Sequence, residues 1–153
     1  MYYAVIGLLM FGLPLVSMIV DSVVSSPQSL VLLIGKWYVF WAVGARLLLA
    51  GLRQVVQPRY TAQVILGLKT DESLLLVREL GFANLALALS GLFSIAFPAW
   101  RLPVALAGGV FYGLAGGNHF LQPERNRLEN VAMASDIFAA AVLLAFFATA
   151  LLR

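Results

Sequence analysis

Five runs in this chain are long and apolar enough to cross a lipid bilayer as helices, and that constrains the fold more than any other feature. A spanning helix needs about 20 apolar residues, because bilayer hydrocarbon offers no partner to an unpaired peptide group. The runs extend from Tyr2 to about Val20, Leu30 to Gln54, Leu74 to Phe97, Pro103 to Leu121 and Val131 to Leu152. The expected fold is an all-α polytopic transmembrane bundle of five spanning helices in one domain, 1–153. It has four spans if the first run does not cross. Only 11% of residues are charged and 62% are hydrophobic, where a soluble domain is about a quarter charged. The net charge of +3 comes from basic residues between the runs, so it speaks for membrane orientation and against nucleic acid as a partner. With no cysteine, disulfides, thiolate metal sites and cysteine nucleophiles are excluded. The first run lacks the basic start and small-residue cleavage site of a signal peptide and is expected to stay as a helix, with Pro14 as a kink.

The segments between the runs carry recognisable punctuation. "DSVVSSPQS" reads as a short turn, and "PAWRLP" as a tight one, with Pro103 in the first turn of the fourth helix. Pro58 can open a short helix and Gly67 can close it. Tyr60, Val64 and Leu68 repeat at four-residue intervals there, a face suited to the membrane surface. Thr70 has the chemistry of an N-cap, with Asp71 and Glu72 in the first turn after it. Asn126 and Glu129 have capping-box spacing. With the N-terminus inside, Arg53, Arg59, Lys69, Arg78, Arg125 and Arg127 fall on the inner side, and Lys36, Arg101 and Arg153 on the outer. That bias satisfies the positive-inside rule and puts Trp37, Trp41 and Trp100 toward the outer interface.

Arg46 lies inside an apolar run and needs a partner there. It is seven residues before Arg53, so about 10 Å deeper. Glu79 and Asp136 each lie five residues into their runs, about 8 Å from the same side. Asn84 is deeper than Glu79, and Asn118 and His119 sit near the inner end of the fourth helix. Small residues flank the charges at four-residue spacing: Ala42 and Ala50 around Arg46, Ala132 and Ala140 around Asp136, Ala83 after Glu79. Such faces pack against other helices and not against lipid. The expectation is a buried polar layer in which Glu79, Asp136 or both neutralise Arg46, because an isolated charge at that depth costs at least a few kcal/mol. Ser135, adjacent to Asp136, is expected to face elsewhere.

Ala105, Gly109, Gly113 and Gly117 form a small-residue ridge on the fourth helix, read as tight packing within one bundle, with an oligomer interface or a ligand-contact wall as the alternatives. Ala115 and His119 make the pattern A-x-x-x-H, which resembles light-harvesting helices whose histidine holds a chlorin; haem is the other macrocycle to weigh. A single histidine supplies one ligand only, so no cofactor and no metal is expected. Gly116, Gly117 and Asn118 lack the strand and lysine of a phosphate loop.

Four stretches, "GKWYVFWAVGARLLLAGLRQVVQP", "VRELGFANLALALSG", "AGGVFYGLAGGNHF" and "ENVAMASD", resemble a family of small bacterial multi-pass inner-membrane proteins known as a domain of unknown function. The resemblance runs from Gly35 to Asp136 and includes Arg46, Glu79, Asn84, His119 and Asp136 in order. It implies a helical fold in the bacterial inner membrane and no activity. In size and character the chain is also loosely similar to DoxX-like membrane proteins. Three classes of function are open to such a chain. The leading reading is a small accessory, structural or assembly subunit, packed against other membrane subunits or itself, which short loops and the lack of a soluble domain favour. The alternative is a small-solute, ion or proton transporter or channel that uses the polar layer of Arg46, Glu79 and Asp136. The sparse chemistry disfavours an enzyme.

Overall fold

The computed structural model describes residues 2–25 and 28–152. Arg153, assigned by sequence to the outer basic residues, and Ser26 and Pro27 of the first turn lie outside them. Six helices occur among the described residues: α1 (Tyr2–Val24), α2 (Leu30–Val56), α3 (Tyr60–Ile65), α4 (Ser73–Phe93), α5 (Arg101–Leu121) and α6 (Arg127–Leu151). Four of them, α1, α2, α4 and α6, are long and apolar enough to cross a membrane. The 21-residue α5, expected as a further span, has the length but falls outside that set. Its glycines, Asn118 and His119 dilute its apolar character.

The helices alternate in direction, as close contacts show. Gly109 meets Leu144 and Gly116 meets Ile137, so α5 and α6 run antiparallel. Gly44 meets Gly91 and Gly51 meets Gly81, which sets α2 antiparallel to α4. Gly108 lies against Val43, and the Tyr112 ring against Arg46, so α2 and α5 run parallel. The core sits where α2, α5 and α6 meet, around Val39, Val43, Tyr112 and Leu143. Exposed leucine, valine and phenylalanine cover the outer faces of α1 and α4, as lipid contact requires.

Two local details set up the site. Both α1 and α2 contain a widened π stretch, Leu8–Gly12 and Val39–Arg46. In α1 it precedes Pro14, which has no N–H to donate to the preceding turn. In α2 it ends at Arg46. A π stretch adds a residue to a turn and rotates the rest of the helix about its axis; it recurs at functional positions. The two stretches face each other, with Met10 touching Arg46.

The boundaries correct several expectations. α1 continues to Val24, so Asp21 is helical and buried, not in a turn; its Oδ2 accepts from Lys36 Nζ at 2.6 Å and from Trp37 Nε1 at 3.0 Å. Only the first half of "PAWRLP" is a turn: Pro98–Trp100 is a 3₁₀ turn between α4 and α5, and Arg101, Leu102 and Pro103 already belong to α5. Thr70 does not cap α4. The N-cap position is Glu72, without a side-chain cap, while the Thr70 carbonyl accepts from the Ser73 hydroxyl. The Asn126–Glu129 capping box is formed. Gly67 closes the segment after α3 at φ 65°, the left-handed region where glycine avoids a Cβ clash. Beyond it, Arg125 caps the end of α5 through the carbonyls of His119, Phe120 and Gln122.

Candidate functional site

Arg46 and Asp136 meet in the interior. Arg46, 9% exposed, donates from Nη2 to Asp136 Oδ1 at 2.5 Å and to Ser135 Oγ at 2.9 Å. Its Nη1 approaches Met10 Sδ at 3.8 Å, and its guanidinium lies 4.7 Å from the centre of the Tyr112 ring. The cation therefore has a carboxylate, a hydroxyl, a thioether and an aromatic face around it. A buried ion is tolerated when paired and hydrogen-bonded in this way. The Tyr112 hydroxyl donates to the Ala42 carbonyl at 2.5 Å, tying α5 to the widened turn that delivers Arg46.

Ser135 joins Asp136 on Arg46, contrary to the expectation that it faces elsewhere. Neighbours on a helix point about 100° apart. The forked guanidinium sits between the two directions and reaches both. Of the two carboxylates considered for Arg46, Asp136 pairs with it and Glu79 does not. Glu79 is exposed. The buried face of α4 runs through Val77, Gly81, Asn84, Ala88 and Gly91, and Glu79 sits two residues from both Val77 and Gly81, on the opposite side. Asn118 is exposed as well, off the buried line of Gly108, Tyr112 and Gly116.

Asn84 is 3% exposed and bonds to another buried amide: its Nδ2 donates to Gln54 Oε1 at 2.7 Å, while its Oδ1 has no hydrogen-bond partner. His119 is mostly buried; its Nδ1 makes no hydrogen bond and lies 3.7 Å from Glu129 Oε1. A cavity of about 240 Å³ joins these groups. Its wall includes Arg46, Asp136, Asn84, Gln54, Tyr112 and His119, with Leu9, Leu47, Ala50, Leu80, Phe111 and Ala115 supplying apolar surface. Tyr60, Thr61 and Ile65 of α3 close one side, and Arg53 lies 3.7 Å from the centre of the Tyr60 ring. Asn126 Nδ2 holds α3 by its Ile65 carbonyl. Its lining residues Arg53, Tyr60, Thr61 and Ile65 lie at the helix ends that carry most basic residues, and Lys36 and Arg101 lie at the other end.

The small-residue ridge splits. Ala105 and Gly109 are buried, with Leu144 beside Gly109 and Ala140 beside Gly113. A Cβ on Gly117 would meet nothing within 4 Å. Each ridge residue lies one position, about 100° around the helix, after a residue of the buried series Val104, Gly108, Tyr112 and Gly116, so the ridge borders the contact face and is open at Gly117. Gln54 is the site residue that sequence reasoning missed and could most readily have found. It lies eight residues after Arg46, on the same stripe of α2.

Helix length and composition make this chain a multi-pass integral membrane protein, with a buried ion pair beside a cavity. It belongs to the family of unknown function DUF6790, whose model matches residues 4–153. No curated protein and no solved structure matches it.

Proposed function

We propose that the protein binds a small solute in this cavity and admits it to the membrane interior, as a transporter or channel does. The supporting observation is the cavity itself: about 240 Å³ beside a buried ion pair, walled by apolar side chains and a few convergent polar groups. The accessory-subunit reading rests on short loops and small size, which do not account for a polar cavity. In this reading five helices cross. α5 is the fifth, because its 21 residues span about 31 Å and lie alongside α6 from Gly109 to Gly116. The basic end faces the cytoplasm of a bacterial cell, with the N-terminus inside and the C-terminus outside. The cavity then lies toward the cytoplasmic side, with the packed residues Val39, Val43 and Leu143 outward of it.

Proteoliposome swelling tests the reading. Vesicles carrying the protein should admit small solutes faster than empty vesicles, and Ala115→Phe, which fills the cavity, should return the rate to that of empty vesicles. Equal rates with and without protein would refute it.

A further inference from the structure

We propose that the guest is a small neutral hydroxyl compound with a short apolar body, and that the Gln54–Asn84 amide pair selects it. The inference rests on the solute reading above and adds the chemical class. Charge argues for neutrality. Arg46 is already matched by Asp136 at 2.5 Å, and Ser135 and Tyr112 add to its environment, so the innermost wall is balanced without a guest. A charged guest beside that pair would bring an ion with no counter-ion into a water-poor site. At the mouth, Arg53 rests on the Tyr60 ring.

The amides argue for the hydroxyl. Two primary amides joined by one hydrogen bond leave donor and acceptor capacity unused. Asn84 Oδ1 lacks a donor, and Gln54 Nε2 donates to none of the described residues. Turning both amides over together preserves their mutual bond and exchanges the free donor with the free acceptor. A group that both donates and accepts satisfies either arrangement, and a hydroxyl is the smallest such group. Size agrees. A volume of about 240 Å³ is larger than the roughly 150 Å³ of a cavity that takes up benzene, so it has room for one ring-sized molecule. Leu47, Leu80 and Phe111 offer the apolar wall for its body.

Three probes of one shape separate the alternatives: benzyl alcohol, toluene and benzoate. Saturable binding of each is measured by equilibrium dialysis against the full chain in detergent micelles, with empty micelles as the blank. Benzyl alcohol should bind about tenfold tighter than toluene, the difference one net hydrogen bond makes, and tighter than benzoate. Asn84→Leu should bring benzyl alcohol to the level of toluene, and Ala115→Phe should abolish binding of both. Equal binding of benzyl alcohol and toluene, or undiminished benzyl alcohol binding to Asn84→Leu, overturns the role of the amides. Tightest binding of benzoate overturns neutrality. Each of these leaves the cavity as a solute site. If no probe binds saturably, the solute reading fails and takes this inference with it. Should Asn84→Leu not fold, the ranking of the three probes on the unaltered protein still decides.

Discussion

Arg46 and Glu79 illustrate how much position on a helix face decides at the scale of a residue. Both are charges inside apolar runs. Arg46 lies on the side of α2 that meets α5 and α6, and a carboxylate waits there at 2.5 Å. Glu79 lies on the exposed side of α4, near enough to its start for headgroups and water to solvate it. Mutating the two should have very unequal consequences. Arg46→Leu leaves Asp136 buried and unpaired, and should destabilise the protein by about 3–5 kcal/mol in detergent unfolding. Arg46→Leu with Asp136→Leu should recover much of that, because no unpaired ion remains. Glu79→Gln should stay within about 0.5 kcal/mol of the parent chain. A large loss for Glu79→Gln, or a double variant no better than Arg46→Leu alone, would contradict the pairing.

At the scale of elements, glycine sets how closely the helices approach. α2 and α4 cross where Gly44 and Gly91 meet, and a Cβ on Gly91 would lie 2.5 Å from the Gly44 nitrogen. That neighbour is backbone, so the helices must separate to admit it. Gly91→Ala should therefore cost about 1–3 kcal/mol, although alanine is the better helix former. Gly117→Ala meets open space and should be neutral or stabilising by up to about 1 kcal/mol. Thermal unfolding of both variants in one detergent checks the pair; loss of stability at Gly117 would mean that its face is covered in the native assembly. The widened turns in α1 and α2 act at the same scale. They rotate Met10 and Arg46 toward a shared level, which a regular 3.6-residue period does not foretell.

At the scale of the whole molecule, the chain's lack of cysteine gives a clean background for mapping access. Gln63→Cys, on the exposed face of α3, should react with a membrane-impermeant thiol reagent supplied from the cytoplasmic side and not from the other. Labelling from the opposite side alone would reverse the orientation.

The sequence by itself determined the class of fold. Helices along apolar runs are the only economical way to pair every peptide group in lipid, so length and composition were enough for α1, α2, α4 and α6. Local chemistry was legible too: the Asn126–Glu129 box and the Gly67 stop depend on residues within one turn. Arg46 was legible as a charge in need of a partner, since its cost in apolar surroundings does not depend on neighbours. The choice of partner does depend on them. Whether Asp136 or Glu79 answers Arg46, whether Ser135 joins in, and whether Gln54 meets Asn84 are settled by how each helix turns about its axis. That rotation comes from close contacts such as Gly44 with Gly91 and Gly116 with Ile137, and from π stretches that break the regular period. Those contacts join residues tens of positions apart, and only the tertiary structure brings them together.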